Sequence, residues 1–315
     1  MKKKRGKKSK SLKLLEYYAA YLIILIARTV SFKVVKIVGN SLGDLLFFLG
    51  KKRRNIAIEN LSHAFKGEKS EEEIRHLARQ SCGSFFLSFL EIIKLRFLFT
   101  KTVFLKGAES PVKDLVELFR KAKKIHDESG GCVFVTPHIG NWEIIPHICS
   151  SVGIPLDIVA RPLDNEYIEK LIYADRTLSG QVVIPKKNAL FALRQTLKQG
   201  RSIGMLPDQS TKKGLLIDFL GRKATTTPVP AILALSYKRP VVILACCRKE
   251  GDYQYEGFVS DPIWPGEYTD KKDEIKRITE EMTRRMESVI RKYPGQYLWI
   301  HNRWKTYKGK KEFLS

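Results

Sequence analysis

The residues best suited to chemistry crowd into one short stretch, CVFVTPHIGNWEIIPHI, which runs from Cys132 to Ile148. It begins as an apolar, β-branched run, breaks at His138, and continues with helical spacing. Asn141, Trp142 and Glu143 lie within five residues of the histidine. Gly140 relaxes the turn, Asn141 is placed as a helix N-cap, and Trp142 is read as a packing wedge. Glu143 then falls in the first helical turn. If the chain folds back there, Glu143 accepts a hydrogen bond from one imidazole nitrogen and leaves a lone pair on the other. That is the base-and-orienter half of a catalytic triad, suited to taking a proton from a substrate hydroxyl. A structural reading stands beside it: His138 caps backbone groups and Glu143 complements the helix dipole. Regular helical geometry does not decide, because a spacing of five residues puts the two side chains about 140° apart.

Other chemistries fit less well. His138 and His147 have no zinc spacing and no HExxH is present, so no metal is expected. Asp208 has no phosphate-cradling glycine loop beside it. Thr136 is close to His138 but belongs to the strand run, and no nucleophile-elbow sequence occurs. The five cysteines, Cys82, Cys132, Cys149, Cys246 and Cys247, sit mostly in apolar runs without CxxC pairs, which predicts buried reduced thiols.

The elements that must position these residues follow from the hydrophobic pattern. CVFVTP, PLDIVA, QVVIP and SIGMLP read as strands. They are separated by helical patterns in WEIIPHICSSVG, EYIEKLIYADRTLSG and NALFALRQTLKQG. Such alternation predicts βαβ crossovers and a largely parallel sheet flanked by helices. PVVILACCRKEGDYQYEGFVSDPI reads as two strands joined by a charged turn, which makes the sheet mixed. In the last long helix Ile275, Ile278, Met282, Met286 and Val289 form a core stripe. Upstream, Ser70 and Glu73 make a capping box that starts a helix. PVKDLVELFRKAKKIHDES is a further amphipathic helix, closed by Gly130 and Gly131. In a parallel α/β sheet, ligands bind beyond the carboxyl ends of the strands. That rule groups His138 to Glu143 with Arg161 to Asn165 and with Asp208 and Gln209.

The 315 residues carry 57 Lys and Arg against 33 Asp and Glu, a formal charge of +24. An anionic partner is expected, whether nucleic acid, acidic lipid or an acidic carrier protein. The opening MKKKRGKKSKSLK is basic with no acid, and the apolar run from Tyr17 to Ala27 follows closely. This pairing favours membrane attachment over a nucleic-acid tail. The run is shorter than the roughly 20 residues of a span, and a second basic cluster, KKRR, follows at 51–54. Both features favour a shallow or re-entrant anchor with the body on the cytoplasmic side. The chain divides into a polybasic and hydrophobic anchor at 1–50, an α/β domain with a helical N-terminal part at 51–308, and a basic tail at 309–315.

HIGNWE resembles the H-x4-D/E motif of bacterial lipid acyltransferases, and more narrowly that of the lipid A biosynthesis (lauroyl/myristoyl) acyltransferases. The resemblance extends through NLSHAF, ARPLDN, DRTLSG, GMLPDQ, DFLGRKATTTPVPAILA and YPGQYLWIHNRWK, in the family's order. It implies a glycerolphosphate-acyltransferase-like fold in which His138 deprotonates a lipid hydroxyl and Glu143 orients it. The acyl group would come from an acyl-carrier-protein or coenzyme A thioester, with no further cofactor. Arg161 and Arg176 would hold phosphate or the developing oxyanion. Asn165, Asp208 and Gln209 would complete the substrate side of the site. His301 and Arg303 would face anionic headgroups or pack at the chain end. The implied partners are anionic membrane lipid, a glycolipid acceptor and an acidic carrier protein or acyl-CoA, at the cytoplasmic face of the inner membrane and without nucleic acid. Gly295, Asn302 and Val229 depart from the family pattern, which bears on acceptor identity more than on the reaction.

Overall fold

The β-branched and apolar runs pair into a six-stranded sheet, in which parallel neighbours require crossover connections and the last two strands pair antiparallel. A computed structural model describes residues 9–102, 113–160, 163–171, 181–185, 189–251 and 254–305. Its strands are β1 (Val133–Val135), β2 (Leu156–Ala160), β3 (Val182–Pro185), β4 (Ser202–Met205), β5 (Leu215–Phe219), β6 (Arg222–Thr226), β7 (Val241–Arg248) and β8 (Tyr255–Val259). The main sheet has the order β3-β2-β4-β1-β7-β8, and β5 and β6 form a separate hairpin. All neighbours in the main sheet are parallel except β7 and β8. The mixed, largely parallel sheet expected from the sequence is therefore present.

The helices are α1 (Lys10–Thr29), α2 (Phe32–Leu49), α3 (Lys51–Ala64), α4 (Glu71–Thr102), α5 (Lys113–Ser129), α6 (Ile145–Ser151), α7 (Ala189–Lys198), α8 (Val229–Tyr237) and α9 (Lys271–Lys292). Residues 166–171 are also helical, and the rest of the helix expected over 166–180 lies outside the described residues. Alternation in the central strands divides the core. Phe134, Val242 and Leu244 face Leu115, Phe119, Ile145 and Ile148, whereas Val133, Val135, Val241 and Ile243 face Leu193, Leu197, Ile278 and Met282. The expected stripe on α9 is buried along its whole length, from Ile275 to Val289. All five cysteines are buried free thiols.

The capping box forms as expected. The Ser70 amide donates to Glu73 Oε2 at 2.8 Å, and the Glu73 amide donates to Ser70 Oγ at 3.2 Å. α4 then passes close beneath α2, because glycines occupy the crossing. A Cβ on Gly43 would stand 2.3 Å from the Gly83 amide nitrogen, and one on Gly39 would stand 2.4 Å from Leu87 Cδ2. α2 thus packs into the body, although the sequence reading counted it with the anchor. Outward on α1, Leu15, Tyr18, Leu22, Ile23 and Ile26 are exposed. No helix among the described residues is long and apolar enough to cross a membrane.

Candidate active site

β1 and β4 are parallel neighbours, so the segments leaving their carboxyl ends lie side by side. The Thr136 amide extends the pairing to the Met205 carbonyl at 3.1 Å, which carries His138 to Asp208. The His138 backbone amide donates to Asp208 Oδ2 at 2.8 Å, and its ring Nδ1 donates to Asp208 Oδ1 at 2.6 Å. One buried carboxylate therefore grips both the backbone and the ring of the same residue. With the proton on Nδ1, the lone pair sits on Nε2, where the Gln209 side-chain amide approaches to 3.3 Å. The carboxylate on the imidazole is Asp208, from the next strand, where the sequence spacing pointed to Glu143.

Burial pushes the Asp208 carboxyl up. The charge and hydrogen bonds of His138 and the nearby Arg303 guanidinium outweigh that and hold it below its ordinary value. The Tyr297 phenol is buried against the same carboxylate, and both burial and Asp208 keep it protonated. Beneath the site, Arg303 donates to the Thr225 carbonyl at 2.7 Å and to Thr226 Oγ1 at 2.5 Å, and its guanidinium lies over the Phe219 ring. Arg303 thus braces the hairpin from inside, which is the packing role of the two alternatives that the sequence offered.

His301 is also structural. Its Nε2 accepts from the Ser210 amide at 3.2 Å and so pins the loop that carries Asp208 and Gln209. Burial, opposed by Asp208 and reinforced by His138, Arg303 and Arg53, lowers His301 to about 4. Unfolded, the same ring titrates near about 6.5. Between those values the unfolded chain binds the extra proton, so this residue makes stability fall as pH drops from about 6.5 to about 4. Thermal melts of His301→Gln across that window are expected to show a shallower acid loss than the parent chain. Equal slopes would remove His301 from the account.

The turn after β1 is built around Gly140. Its φ is +59°, and a Cβ there would stand 2.0 Å from the Cys246 carbonyl oxygen. The turn is held by backbone bonds: Gly140 amide to the Gln296 carbonyl at 3.2 Å, Asn141 amide to the Cys246 carbonyl at 2.8 Å, and Leu298 amide to the His138 carbonyl at 3.0 Å. Gly140→Ala must therefore push the turn off β7. Turnover is expected to fall about 10²-fold through misplacement of His138, with a lower melting temperature. Wild-type turnover in this variant would show that the close approach is not needed.

Glu143 and Trp142 line an apolar cleft with His138, together with Phe134, Ile145, Leu156, Ile158 and Leu244. Gly204 keeps that cleft open, since a Cβ there would reach Ile158 Cγ2 at 3.0 Å. Trp142 stands edge-on to the imidazole with ring centroids 5.3 Å apart, and its Nε1 donates to Glu143 Oε1 at 3.2 Å. The expected packing role of Trp142 is met. The expected cap is not: the Asn141 side chain turns inward and donates to Glu91 Oε2 at 2.9 Å.

Asn165 is occupied elsewhere. Its Oδ1 accepts from the Tyr167 amide at 3.1 Å, capping the helical segment 166–171. Its Nδ2 donates to the Lys13 carbonyl and to Glu16 Oε2 on α1. A substrate-binding assignment for Asn165 gives way to a structural one, because its amide is consumed by these bonds. Thr136 Oγ1 donates to the Pro137 carbonyl at 3.1 Å. Arg161 and Arg176 lie outside the described residues. Sequence reasoning missed Glu91 and Arg248, which form an ion pair of 2.7 Å behind the turn, with Glu91 buried and Arg248 largely so. Their signals were a lone acid in the apolar run SFFLSFLEII and a lone cation ending the strand VVILACCR.

The sheet, the carboxylate-held imidazole and the apolar cleft define a class: an α/β protein whose histidine lone pair opens on a space for apolar substrate. The chain belongs to the bacterial lipid A biosynthesis acyltransferase family, whose sequence model matches residues 5–306. It is 24% identical to a lipid A biosynthesis palmitoleoyltransferase of Escherichia coli (strain K12) over 283 residues, covering 87% of this chain and 86% of that protein. It is also 24% identical to a lipid A biosynthesis acyltransferase of Haemophilus influenzae over 306 residues, covering 92% and 91%. The protein is accordingly an acyltransferase.

Proposed function

We propose that this chain transfers a fatty acyl group from an acyl-carrier thioester to a hydroxyl of a lipid A precursor, with His138 as the base. The observation that carries this reading is the Nδ1–Asp208 contact of 2.6 Å, which leaves the Nε2 lone pair at the cleft. Nε2 takes the proton of the acceptor hydroxyl as its oxygen attacks the thioester carbonyl. The tetrahedral intermediate collapses, the carbon–sulfur bond breaks, and the imidazolium returns its proton to the departing thiolate. The products are an ester and a free thiol, and the reaction needs no other cofactor. The apolar cleft takes the acyl chain. Gln209 steadies the imidazole edge, and Glu143 adds negative charge on the cleft wall that favours the imidazolium formed in the transition state. Arg161 and Arg176 serve the acceptor phosphate or the oxyanion.

The protein works at a bilayer surface in this reading. Exposed apolar side chains on α1, preceded by the basic run, suit an interfacial helix on anionic lipid. α1 is also tied to the edge of the site, through Lys13 to Glu166 at 2.6 Å and through Asn165. A lipid acceptor therefore need not leave the membrane. The location proposed is the cytoplasmic face of the inner membrane, with an acidic carrier protein or coenzyme A presenting the acyl chain.

The test is incubation of the purified chain with a graded series of saturated acyl thioesters and a lipid A precursor in detergent micelles. A gain of one acyl mass on the precursor, matched by released thiol, is expected. Acylation of an added lysophospholipid instead would overturn the acceptor assignment.

A further inference from the structure

Behind the His138 turn lies a polar cluster that takes no part in the chemistry. Glu91 Oε1 pairs with Arg248 Nε at 2.7 Å, and Glu91 Oε2 accepts from Asn141 Nδ2 at 2.9 Å. Arg248 also donates to Ser84 Oγ at 2.9 Å and to Ser88 Oγ at 3.2 Å, and Ser88 Oγ donates to the Gly140 carbonyl at 2.8 Å. Ser84, Ser88 and Glu91 recur at four- and three-residue steps, so they share one face of α4. Gln296 closes the far side, accepting from the Arg248 amide and donating to the Arg248 carbonyl, both at 2.8 Å.

A buried ion pair is a poor source of net stability, because desolvation offsets most of the attraction. The Glu91 side chain is only 2% exposed. A pair held at that cost needs another use, and two arms of this one end on the residues that follow His138: Glu91 on Asn141, and Arg248 through Ser88 on the Gly140 carbonyl. The guanidinium also reaches Ser84, whose Oγ donates to the Gln296 carbonyl at 3.1 Å, while the Gln296 side chain bonds the Arg248 backbone at the end of β7. Catalytic turns demand such control, since a displacement of about 1 Å can cost 10²-fold in rate.

We propose that Glu91 and Arg248, with Ser88 and Asn141, are positioning residues that hold the His138 turn in its reactive register. The inference rests on His138 being the base. It also makes α4 the mechanical link between the N-terminal helices, packed through Gly83 and Leu87, and the reacting edge of the sheet.

The experiment compares kcat and KM in the acyl-transfer assay above for Glu91→Met/Arg248→Met, Ser88→Ala, Glu91→Gln and His138→Ala. The apolar double variant removes both charges together and avoids leaving one buried alone. It is expected to lose about 10- to 100-fold in kcat, with KM for donor and acceptor within about twofold. Ser88→Ala is expected to lose about 3- to 10-fold in kcat with KM likewise unchanged. Glu91→Gln should rescue most of the rate, because Gln still accepts from Arg248 and an inverted Asn141 amide can accept from its NH2. A folded double variant with wild-type kcat, or a loss seen in KM alone, would overturn the proposal. Should the double variant fail to fold, Ser88→Ala decides: reduced kcat supports the clasp and wild-type kcat removes it. His138→Ala separates the two ideas. An inactive His138→Ala beside fully active clasp variants refutes the clasp alone, whereas an active His138→Ala refutes the base on which it rests.

Discussion

His138→Ala is expected to lower kcat for acyl transfer by about 10⁴-fold, the upper end of what a positioned base contributes. Substrate binding should change little, since the apolar walls of the cleft are untouched. The fold should survive. Asp208 loses the ring partner at 2.6 Å but keeps the residue-138 backbone amide at 2.8 Å, so the stability cost is about 1–3 kcal/mol. Added imidazole should restore part of the rate, because the vacated space opens on the cleft. The checks are mass spectrometry of the product lipid and a thermal melt on the same preparation. Full turnover by a folded His138→Ala would end the base mechanism.

Asp208→Asn is expected to cost about 10³-fold in kcat by reversing the tautomer of His138. The geometry forces the outcome. The His138 backbone amide needs an acceptor and claims the new amide oxygen, which turns the NH2 toward ring Nδ1. Nδ1 must then accept, the ring proton moves to Nε2, and no lone pair faces the cleft. Stability carries a second signature. The Asp208 carboxyl is held below its ordinary value in the fold. It therefore contributes stability that is complete above the unfolded value, about 3.8, and is lost as pH falls through the lower folded value. The melting-temperature gap between parent and variant should be widest near neutral pH and close in strong acid. A variant with the parent's rate would return the orienting role to Glu143.

The elements were legible because their signals are local. Short β-branched apolar runs set the strands of the sheet, the three- and four-residue stripe from Ile275 to Val289 set α9, and Ser70 with Glu73 marked the start of α4. The edge of the sheet that carries the site was also readable, since polar residues follow each parallel strand. What was misread depended on distance across the fold. Glu143 lies five residues from His138 and Asp208 lies seventy away, and the nearer acid drew the assignment. Asn141 has the chemistry of an N-cap but spends it on Glu91, and Asn165 spends its amide on a cap and on α1.

Sequence by itself determined the fold class, the histidine at the break after β1 and the family. Only the tertiary structure decided which carboxylate holds that histidine, and that Glu91 and Arg248 meet behind it. Hydrophobic periodicity states which residues are buried and on which face, whereas strand order is settled by how whole layers pack. A hydrogen bond of 2.6 Å between the ends of β1 and β4 exists because those strands are neighbours in the sheet.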